Sequence, residues 1–189
     1  MINIKQELEV AKKATEIAAA LLIDNKENIN MILSNEGRDV KLKADNESEK
    51  VIKEYLSSNS NFPILAEESG ANKELGDSFW VVDPLDGTSN YSRDFPICCI
   101  SIGLIYKKEI SLGVINDFNR GSIYEGSIDS KAKLNGQEIF VSSINEKSKA
   151  TLATGLPAKG NFGKESMSEL SNELVSWKKV RMIGSAAMS

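Results

Sequence analysis

The sequence predicts an α+β fold, and three observations lead to that class. Residues 3–24 and about 46–57 place apolar side chains at three- and four-residue intervals, as amphipathic helices do. Short apolar segments between residues 63 and 125 are separated by turn residues, which is typical of strands. From residue 150 onwards the pattern alternates strand, helix and strand, as in an α/β unit. With 189 residues, the chain is long enough to bury a sizeable core.

The segment between the two helices is predicted to contain one strand. Residues 38–43 alternate between polar and apolar side chains, which is the pattern of a half-buried strand. Asp45 or Asn46 then has the residue type of a helix N-cap, so the second helix is expected to start there. The polar cluster at 57–61 is predicted to be a loop.

Two apolar runs stop at acidic residues. The run at 63–66 precedes Glu67, and the run at 78–82 precedes Asp83. Pro84 has a fixed φ and no backbone N–H, so it is expected to end the second strand. If the two strands are neighbours, their carboxyl ends bring the two acids together.

The remaining strands are predicted to form hairpins and then a second unit. Strands at 97–106 and 110–116 are joined by a short charged link, and a third strand follows at 122–125. The dipeptide Asn135-Gly136 is a hairpin turn signal. Residues 142–149 are polar and are interpreted as a linker. The second unit is expected to contain a strand at 150–154, a helix at about 164–176 and a strand at 179–183.

The composition excludes several chemistries. The chain has no histidine and two cysteines, so Ser-His-Asp and Cys-His pairs and the usual zinc sites are ruled out. Cys98 and Cys99 are adjacent, a spacing that rarely permits a disulfide, and they are expected to lie in the core. Hydrolytic chemistry must therefore use carboxylates, hydroxyls, lysines, backbone dipoles or a hard metal ion.

Charge and hydropathy restrict the partners and the compartment. The chain has 23 Lys+Arg against 27 Asp+Glu, and this acidic balance argues against a nucleic-acid partner. The apolar stretch at 17–23 is too short to span a bilayer, and no signal peptide is recognised, so no membrane partner is expected. Reduced neighbouring thiols without an export signal predict a cytoplasmic protein.

The strongest segment is DPLDGTSNY at residues 83–91, called the aspartate motif below. Asp83 and Asp86 are close enough in sequence to converge across a tight turn, and Gly87 permits a close backbone approach. Carboxylates beside free N–H groups make a poor anion site alone, but they suit a magnesium ion, Mg²⁺, that binds carboxylates and phosphate oxygens together.

Further acidic and hydroxyl groups extend this metal site. Glu67 would add a third carboxylate, and three carboxylates repel each other unless cations neutralise them. A multi-metal phosphate-hydrolysis site fits this pattern. Thr88 could position a water molecule through its hydroxyl, and Asp45 could orient Thr88 in turn.

These motifs resemble the inositol monophosphatase family of metal-dependent, lithium-sensitive phosphatases. The resemblance rests on K-A-D at 43–45, AEESG at 66–70, the aspartate motif, F-P-I-x-x-x-S-I-G at 95–103, Asn135-Gly136, T-G-L-P at 154–157 and GSAA at 184–187. It implies a layered αβαβα sugar-phosphatase fold, inositol monophosphatase-like, whose second α/β half is incomplete in this chain.

The resemblance also implies roles for individual residues. Glu67 and Asp83 would bind one Mg²⁺ with the carbonyl of Leu85, and Asp83 and Asp86 would bind a second. Thr88, paired with Asp45, would activate the attacking water with help from Glu67. The substrate-binding residues would be Asp86, then Gly87, Thr88 and Ser89 around the phosphate, and Gly184, Ser185 and Ala186 on the sugar-like ring.

Two departures from the family pattern are visible. Ala66 stands where the family usually has glycine. The family also has a further aspartate ligand in a W-D-x-A-type motif beyond GSAA, and this sequence stops before it. We therefore expect an N-terminal α+β domain at 1–141, which carries the metal site, and the start of a C-terminal α/β domain at 142–189.

The implied function is Mg²⁺-dependent hydrolysis of a phosphate monoester, myo-inositol monophosphate, by metal-activated water without a covalent intermediate. The partner is then a small-molecule phosphate monoester, and the full-length protein is expected to be a homodimer. Two alternatives stay open. One is a related phosphatase acting on fructose 1,6-bisphosphate or 3′-phosphoadenosine 5′-phosphate, and the other is a non-catalytic fragment or regulatory module.

Each candidate residue also has a plain structural interpretation. An adjacent pair of glutamates is often a solvated loop, aspartates often cap turns, and a Gly-Ser pair often starts a helix. Glu67 with Glu68 could be such a loop, Asp83 and Asp86 could cap a turn, and Gly184 with Ser185 could start a helix. Asp45 could be a plain helix N-cap.

Overall fold

The computed structural model describes residues 2–36, 39–156 and 163–189. The helices are α1 (Ile4–Asp24), α2 (Lys26–Ile29), α3 (Lys43–Asn59), α4 (Thr88–Tyr91) and α5 (Lys164–Val175). The strands are β1 (Ile32–Glu36), β2 (Asp39–Leu42), β3 (Ile64–Ala66), β4 (Gly70–Ala71), β5 (Phe79–Asp86), β6 (Cys99–Tyr106), β7 (Glu109–Asp117), β8 (Ser122–Ser127), β9 (Ser130–Leu134), β10 (Gln137–Glu138), β11 (Thr151–Thr154) and β12 (Lys179–Met182).

An eight-stranded mixed sheet forms the centre of the fold. Its strand order is β10-β9-β8-β7-β6-β5-β3-β4, in which β3 and β5 run parallel and the other neighbours are antiparallel. The β1–β2 hairpin and the parallel pair β11–β12 lie outside this sheet. The predicted α+β class is therefore confirmed, as are the predicted hairpins and the final strand–helix–strand alternation.

Helices α1 and α3 cover one face of the sheet. They pack against each other, and α1 also packs on β6 and β7 while α3 packs on β5. Ala11, Ala14 and Ala18 are fully buried in α1, and their small side chains allow this close packing. The hydroxyl of Tyr91 donates a hydrogen bond of 2.7 Å to the carbonyl of Leu22. That bond ties the end of the aspartate motif to α1.

The start of α3 differs from the prediction. The helix begins at Lys43, so Asp45 is its third residue and not its N-cap. The carboxylate of Asp45 reaches back and accepts a 2.7 Å hydrogen bond from the N–H of Leu42, which satisfies one donor at the helix start. Residue 38 of the predicted strand lies outside the described residues, and β1, its partner, was not predicted.

The end of α3 also differs, because the helix continues over the predicted loop as far as Asn59. Polar side chains there bond back to the helix itself. The Ser58 hydroxyl donates to the carbonyl of Glu54, and the Asn59 amide donates to that of Tyr55. These bonds extend the helix through residues whose type favours loops.

Strand β5 does not stop at Asp83, contrary to the prediction. It continues to Asp86, with an irregularity in its pairing to β6. Asp83 pairs with Ser101 and Asp86 pairs with Cys99, so β5 holds one extra residue between the two pairs. Pro84 cannot donate to the ladder, so it is accommodated at this bulge. The bulge separates the two aspartates of the motif.

The region after residue 142 is more exposed. Helix α5 connects the parallel strands β11 and β12, and it has no buried residue. Pro157 of the T-G-L-P motif lies outside the described residues. Residues 187 and 188 form a single turn, in which the N–H of Ser189 bonds to the carbonyl of Ala186 at 3.3 Å, and the helix start at 184–187 stays a prediction.

Both cysteines are buried thiols, as predicted, with 1% of Cys98 and none of Cys99 exposed. Burial raises the pKa of both thiols.

We expect neither cysteine to react with a thiol reagent such as Ellman's reagent in the native protein over minutes, because both are protonated and shielded. Both should react in guanidinium chloride. Prompt reaction of either thiol in the native protein would contradict this arrangement.

No helix among the described residues is long and apolar enough to cross a membrane.

Candidate active site

Two acidic residues meet at the edge of the sheet where β3 ends. The parallel register pairs Leu65 with Val81 and Ala66 with Val82, and the N–H of Glu67 donates to the carbonyl of Val82 at 3.1 Å. Glu67 is therefore held next to Asp83, and their carboxyl groups are close enough to share a hydrogen-bonded proton. Both residues line a cavity of about 340 Å³.

The electrostatics of this pair favour binding a cation. Burial, together with the charges of Glu67 and Asp86, raises the pKa of Asp83 to about 8. Burial also raises the pKa of Glu67, whereas the nearby ammonium of Lys41 lowers it. At neutral pH the pair therefore retains a proton that a metal ion can replace. Carboxylate and carbonyl oxygens are the donor type that Mg²⁺ prefers, so the chemistry of Glu67, Asp83 and the Leu85 carbonyl fits the ion.

The third predicted carboxylate has other partners. Asp86 accepts hydrogen bonds from the Ser185 hydroxyl at 2.7 Å and from the N–H groups of Ala186 and Ala187 at 3.0 and 2.6 Å. The Cys99 thiol contacts the same carboxylate at 3.8 Å. Within the part of the chain that the structure describes, no three Asp, Glu or Cys side chains converge closely enough to hold one ion. The hydrogen bonds of Asp86 therefore go to residues 185–187, although its charge acts on the Glu67–Asp83 pair.

Thr88 and Asp45 are in direct contact. The Thr88 hydroxyl lies 2.8 Å from Oδ1 of Asp45 and 3.1 Å from the carbonyl oxygen of Leu85. Asp45 is 2% exposed, and burial raises its pKa to about 6 against the lowering effect of its bonds from Leu42 and Thr88. When the hydroxyl donates to Asp45, its lone pairs are left to accept a hydrogen bond from another group.

Gly87 has a conformation that requires glycine. Its φ is +94°, and a Cβ there would lie 2.8 Å from the carbonyl oxygen of Ile97 and 3.1 Å from Cβ of Cys98. The turn that carries Thr88 and Ser89 thus packs directly on the segment before β6. Ser89 is exposed, and its hydroxyl accepts a 2.8 Å hydrogen bond from the guanidinium of Arg93.

The predicted ring-contacting residues lie beside the aspartate motif. We call residues 183–189 the C-terminal segment. Gly184 has a φ of +74°, and Ser185 is 4% exposed. Ala186 contacts Asp86 through its backbone N–H. The structure therefore brings Ser185 and Ala186 to Asp86 over a sequence separation of about a hundred residues, and Gly184 lies against Asn90 of the same motif.

Three further residues support the site and had no predicted role. The Ser48 hydroxyl donates to the carbonyl of Pro84 at 2.8 Å and fixes the bulge to α3. Lys41 pairs with Glu68 at 2.7 Å. Asn90 donates to the carbonyls of Ile97 and Ile183. Only Asn90 had a signal in the sequence, namely its place inside the aspartate motif.

Comparison with known proteins identifies the family. Residues 3–189 match the model of the inositol monophosphatase family. An inositol-1-monophosphatase of Synechocystis sp. is 33% identical over 152 residues, covering 78% of this chain and 53% of the relative. A fructose-1,6-bisphosphatase/inositol-1-monophosphatase of Aquifex aeolicus is 33% identical over 167 residues, covering 84% of this chain and 61% of the relative.

A solved structure agrees with this comparison. The crystal structure of the extragenic suppressor protein suhB from Bartonella henselae matches with a TM-score of 0.85 and 28% identity, over 95% of this chain and 71% of that one. The chain thus spans little more than half the length of the two sequence relatives. The match covers the sheet, the aspartate motif and the C-terminal segment alike, and this chain belongs to the inositol monophosphatase family.

Proposed function

We propose that this chain carries the metal- and phosphate-binding part of an Mg²⁺-dependent phosphate monoester hydrolase, with myo-inositol monophosphate as its substrate. The observation that supports it most is the pairing of Glu67 with the partly buried Asp83, next to the turn that carries the Thr88–Asp45 hydrogen bond. Acidic groups that share a proton and an oriented hydroxyl are the parts that such a hydrolysis needs.

Glu67, Asp83 and the carbonyl of Leu85 would hold Mg²⁺. The ion, when bound, would neutralise the two carboxylates and withdraw charge from a phosphate oxygen. Asp86 is proposed as a ligand of a second ion. To bind that ion, its carboxylate would have to give up hydrogen bonds from the C-terminal segment. Its carboxylate already accepts three strong donors, so the second site is expected to bind more weakly than the first.

Thr88 and Asp45 would act on the attacking water. The Thr88 hydroxyl donates to Asp45 and accepts a hydrogen from the water, which fixes the orientation of the water's lone pair. Asp45, with a pKa of about 6, is suited to receive a proton near neutral pH. Gly87, Thr88 and Ser89 would hold the phosphate, and Gly184, Ser185 and Ala186 would face the ring.

Replacing Thr88 by valine should reduce kcat by about 100-fold or more, because valine keeps the shape but removes the hydroxyl that orients the water. Thr88→Ser should stay within about tenfold of the native rate. The measurement is phosphate release with Mg²⁺, with thermal unfolding as a check that both variants fold. A valine variant as fast as the native protein would exclude Thr88 from the reaction.

The substrate can be tested by comparing three phosphate esters. We expect kcat/KM to be highest for myo-inositol 1-phosphate and lower for fructose 1,6-bisphosphate and 3′-phosphoadenosine 5′-phosphate. If kcat/KM is highest for one of the other two esters, that ester is the substrate. If the chain binds Mg²⁺ but releases phosphate from none of the three, a non-catalytic module is favoured. The homodimer, the cytoplasmic location and the domain division at residues 141 and 142 stay predictions.

A further inference from the structure

Asn90 connects the aspartate motif to the C-terminal segment. Its Nδ2 donates one hydrogen bond of 2.7 Å to the carbonyl of Ile97 and another of 2.7 Å to the carbonyl of Ile183. These bonds use both hydrogens of the amide. The first is local, while the second spans 93 residues of sequence. Asn90 therefore attaches the end of the chain to the turn that carries Asp86, Gly87 and Thr88.

The backbone of Gly184 lies directly against this amide. A Cβ at Gly184 would be 3.1 Å from both Nδ2 and Oδ1 of Asn90, and Gly184 has a φ of +74°. A side chain there would be both strained and crowded. Residue 184 must therefore be glycine to adopt this left-handed conformation beside Asn90. The conformation turns the next residues toward Asp86.

The same segment has a second attachment, two to four residues after Ile183. The Ser185 hydroxyl and the N–H groups of Ala186 and Ala187 all donate to the carboxylate of Asp86. Ser185 and Asp86 are both buried. The C-terminal segment is thus held at two points, by an amide on one side and by a carboxylate on the other, and both belong to the aspartate motif.

We propose that Asn90 is a positioning residue, which holds the Ile183 carbonyl so that Ser185, Ala186 and Ala187 stay aimed at Asp86. Asn90 does not line the metal pair, and it acts through the segment that it anchors. Its effect on catalysis rests on the proposed function, because it would set the distance between the ring-facing segment and the phosphate-facing turn. The anchoring itself is independent of that function.

The anchoring can be measured by hydrogen–deuterium exchange of the 189-residue chain without metal or substrate. In Asn90→Ala, the amides of Ala186 and Ala187 should exchange at least about tenfold faster, while those of β6 and β7 stay unchanged. Asn119→Ala is the matched control, because its Nδ2 also donates to a backbone carbonyl, that of Cys98, at 3.4 Å. Unchanged exchange of the segment, or faster exchange of the whole sheet, would overturn the proposal.

Two further variants separate anchoring from general destabilisation. Asn90→Asp keeps the shape but offers no hydrogen to either carbonyl, so it should not rescue the segment, and rescue would show that the bonds are not responsible. Gly184→Ala should also accelerate exchange of the C-terminal segment, because the new Cβ would push against the Asn90 amide. Its effect should be smaller in the Asn90→Ala background, because the side chain that crowds the new Cβ is then gone.

If Asn90 positions the C-terminal segment, its loss should weaken binding of the ester substrate more than binding of inorganic phosphate. In Asn90→Ala, KM for myo-inositol 1-phosphate should rise about tenfold, while inhibition by inorganic phosphate should change by no more than about twofold. The reason is that inorganic phosphate needs only the aspartate motif, whereas the ester also needs the C-terminal segment. Equal weakening of both would overturn the positioning role. A chain that anchors its segment but hydrolyses no phosphate ester would instead refute the proposed function alone.

Discussion

Asp83→Asn is expected to abolish phosphate release and, at the same time, to stabilise the metal-free protein at neutral pH. The native carboxyl is partly buried beside Glu67 and has a pKa of about 8, against an ordinary value of 3.8. Below the ordinary value both the folded and the unfolded chain hold this proton. Between pH 3.8 and about 8 only the folded chain holds it, so the stability falls as the pH rises through that range. Above about pH 8 the folded chain carries the buried charge.

Asparagine at position 83 removes this pH dependence of the stability, and its side chain fills the same space as the native aspartate. Its amide can donate to Glu67, and its carbonyl oxygen can still accept the 3.2 Å bond from the N–H of Leu85. We expect a gain on the order of 2 kcal/mol near pH 8, which is a rise in Tm of roughly 4–8 °C for a chain of this size. Asparagine lacks the charge that Mg²⁺ requires, so phosphate release should be lost.

Thermal unfolding in EDTA across the pH range, followed by titration with Mg²⁺, measures both effects. The native Tm should fall with rising pH and recover with Mg²⁺, and the Asp83→Asn variant should show less of either response. Asp77→Asn is a suitable control, since Asp77 is an exposed acid that pairs with Lys108 at 3.4 Å on the surface. If Asp83→Asn released phosphate at the native rate, the assignment of this site would be wrong.

Gly87→Ala should destabilise the fold by about 2–4 kcal/mol. Part of this cost comes from the positive φ, which disfavours any L side chain by roughly 1–2 kcal/mol. The rest comes from the new Cβ, which would lie 2.8 Å from the rigid carbonyl oxygen of Ile97. The turn must shift to relieve this contact, so the affinity for inorganic phosphate should fall as well.

Gly121→Ala separates the two contributions. Gly121 has a φ of +61°, and nothing lies within 4 Å of the position that its Cβ would take. This variant should therefore cost only the conformational part, roughly 1–2 kcal/mol. Urea unfolding of both variants supplies the comparison. Equal losses of stability would mean that the contact with Ile97 does not restrain the turn.

Local patterns in the sequence predicted much of the fold and one side of the site. The runs before Glu67 and Asp83 are short, apolar and followed by acids, and parallel strands with that pattern bring their acids together. The helices α1 and α3 and the hairpin of β6 and β7 have clear periodicity. The pairing of Thr88 with Asp45 was predicted from the chemistry of the two side chains and from the family resemblance, although the two residues are 43 positions apart and no local pattern joins them.

Other features depend on tertiary contacts that no local pattern contains. Pro84 predicts the end of a strand, yet β5 passes it, because Cys99 resumes the pairing at Asp86 and Ser48 bonds to the Pro84 carbonyl. Asp86 looks like a metal ligand from its motif, while its hydrogen-bond partners come from the far end of the chain. The strand β1 lacks a strong pattern and owes its existence to pairing with β2.

The bonds between Asp86 and the C-terminal segment have a consequence for synthesis on the ribosome. Asp86 and Ser185 are 99 residues apart. A ribosome that adds about 5–20 residues per second therefore finishes the donors of this carboxylate roughly 5–20 seconds after the carboxylate itself. During that interval the strands β3 and β5 have already been synthesised, while the donors of Asp86 in the C-terminal segment have not. The contact between the aspartate motif and the C-terminal segment can therefore form only after these strands have left the ribosome.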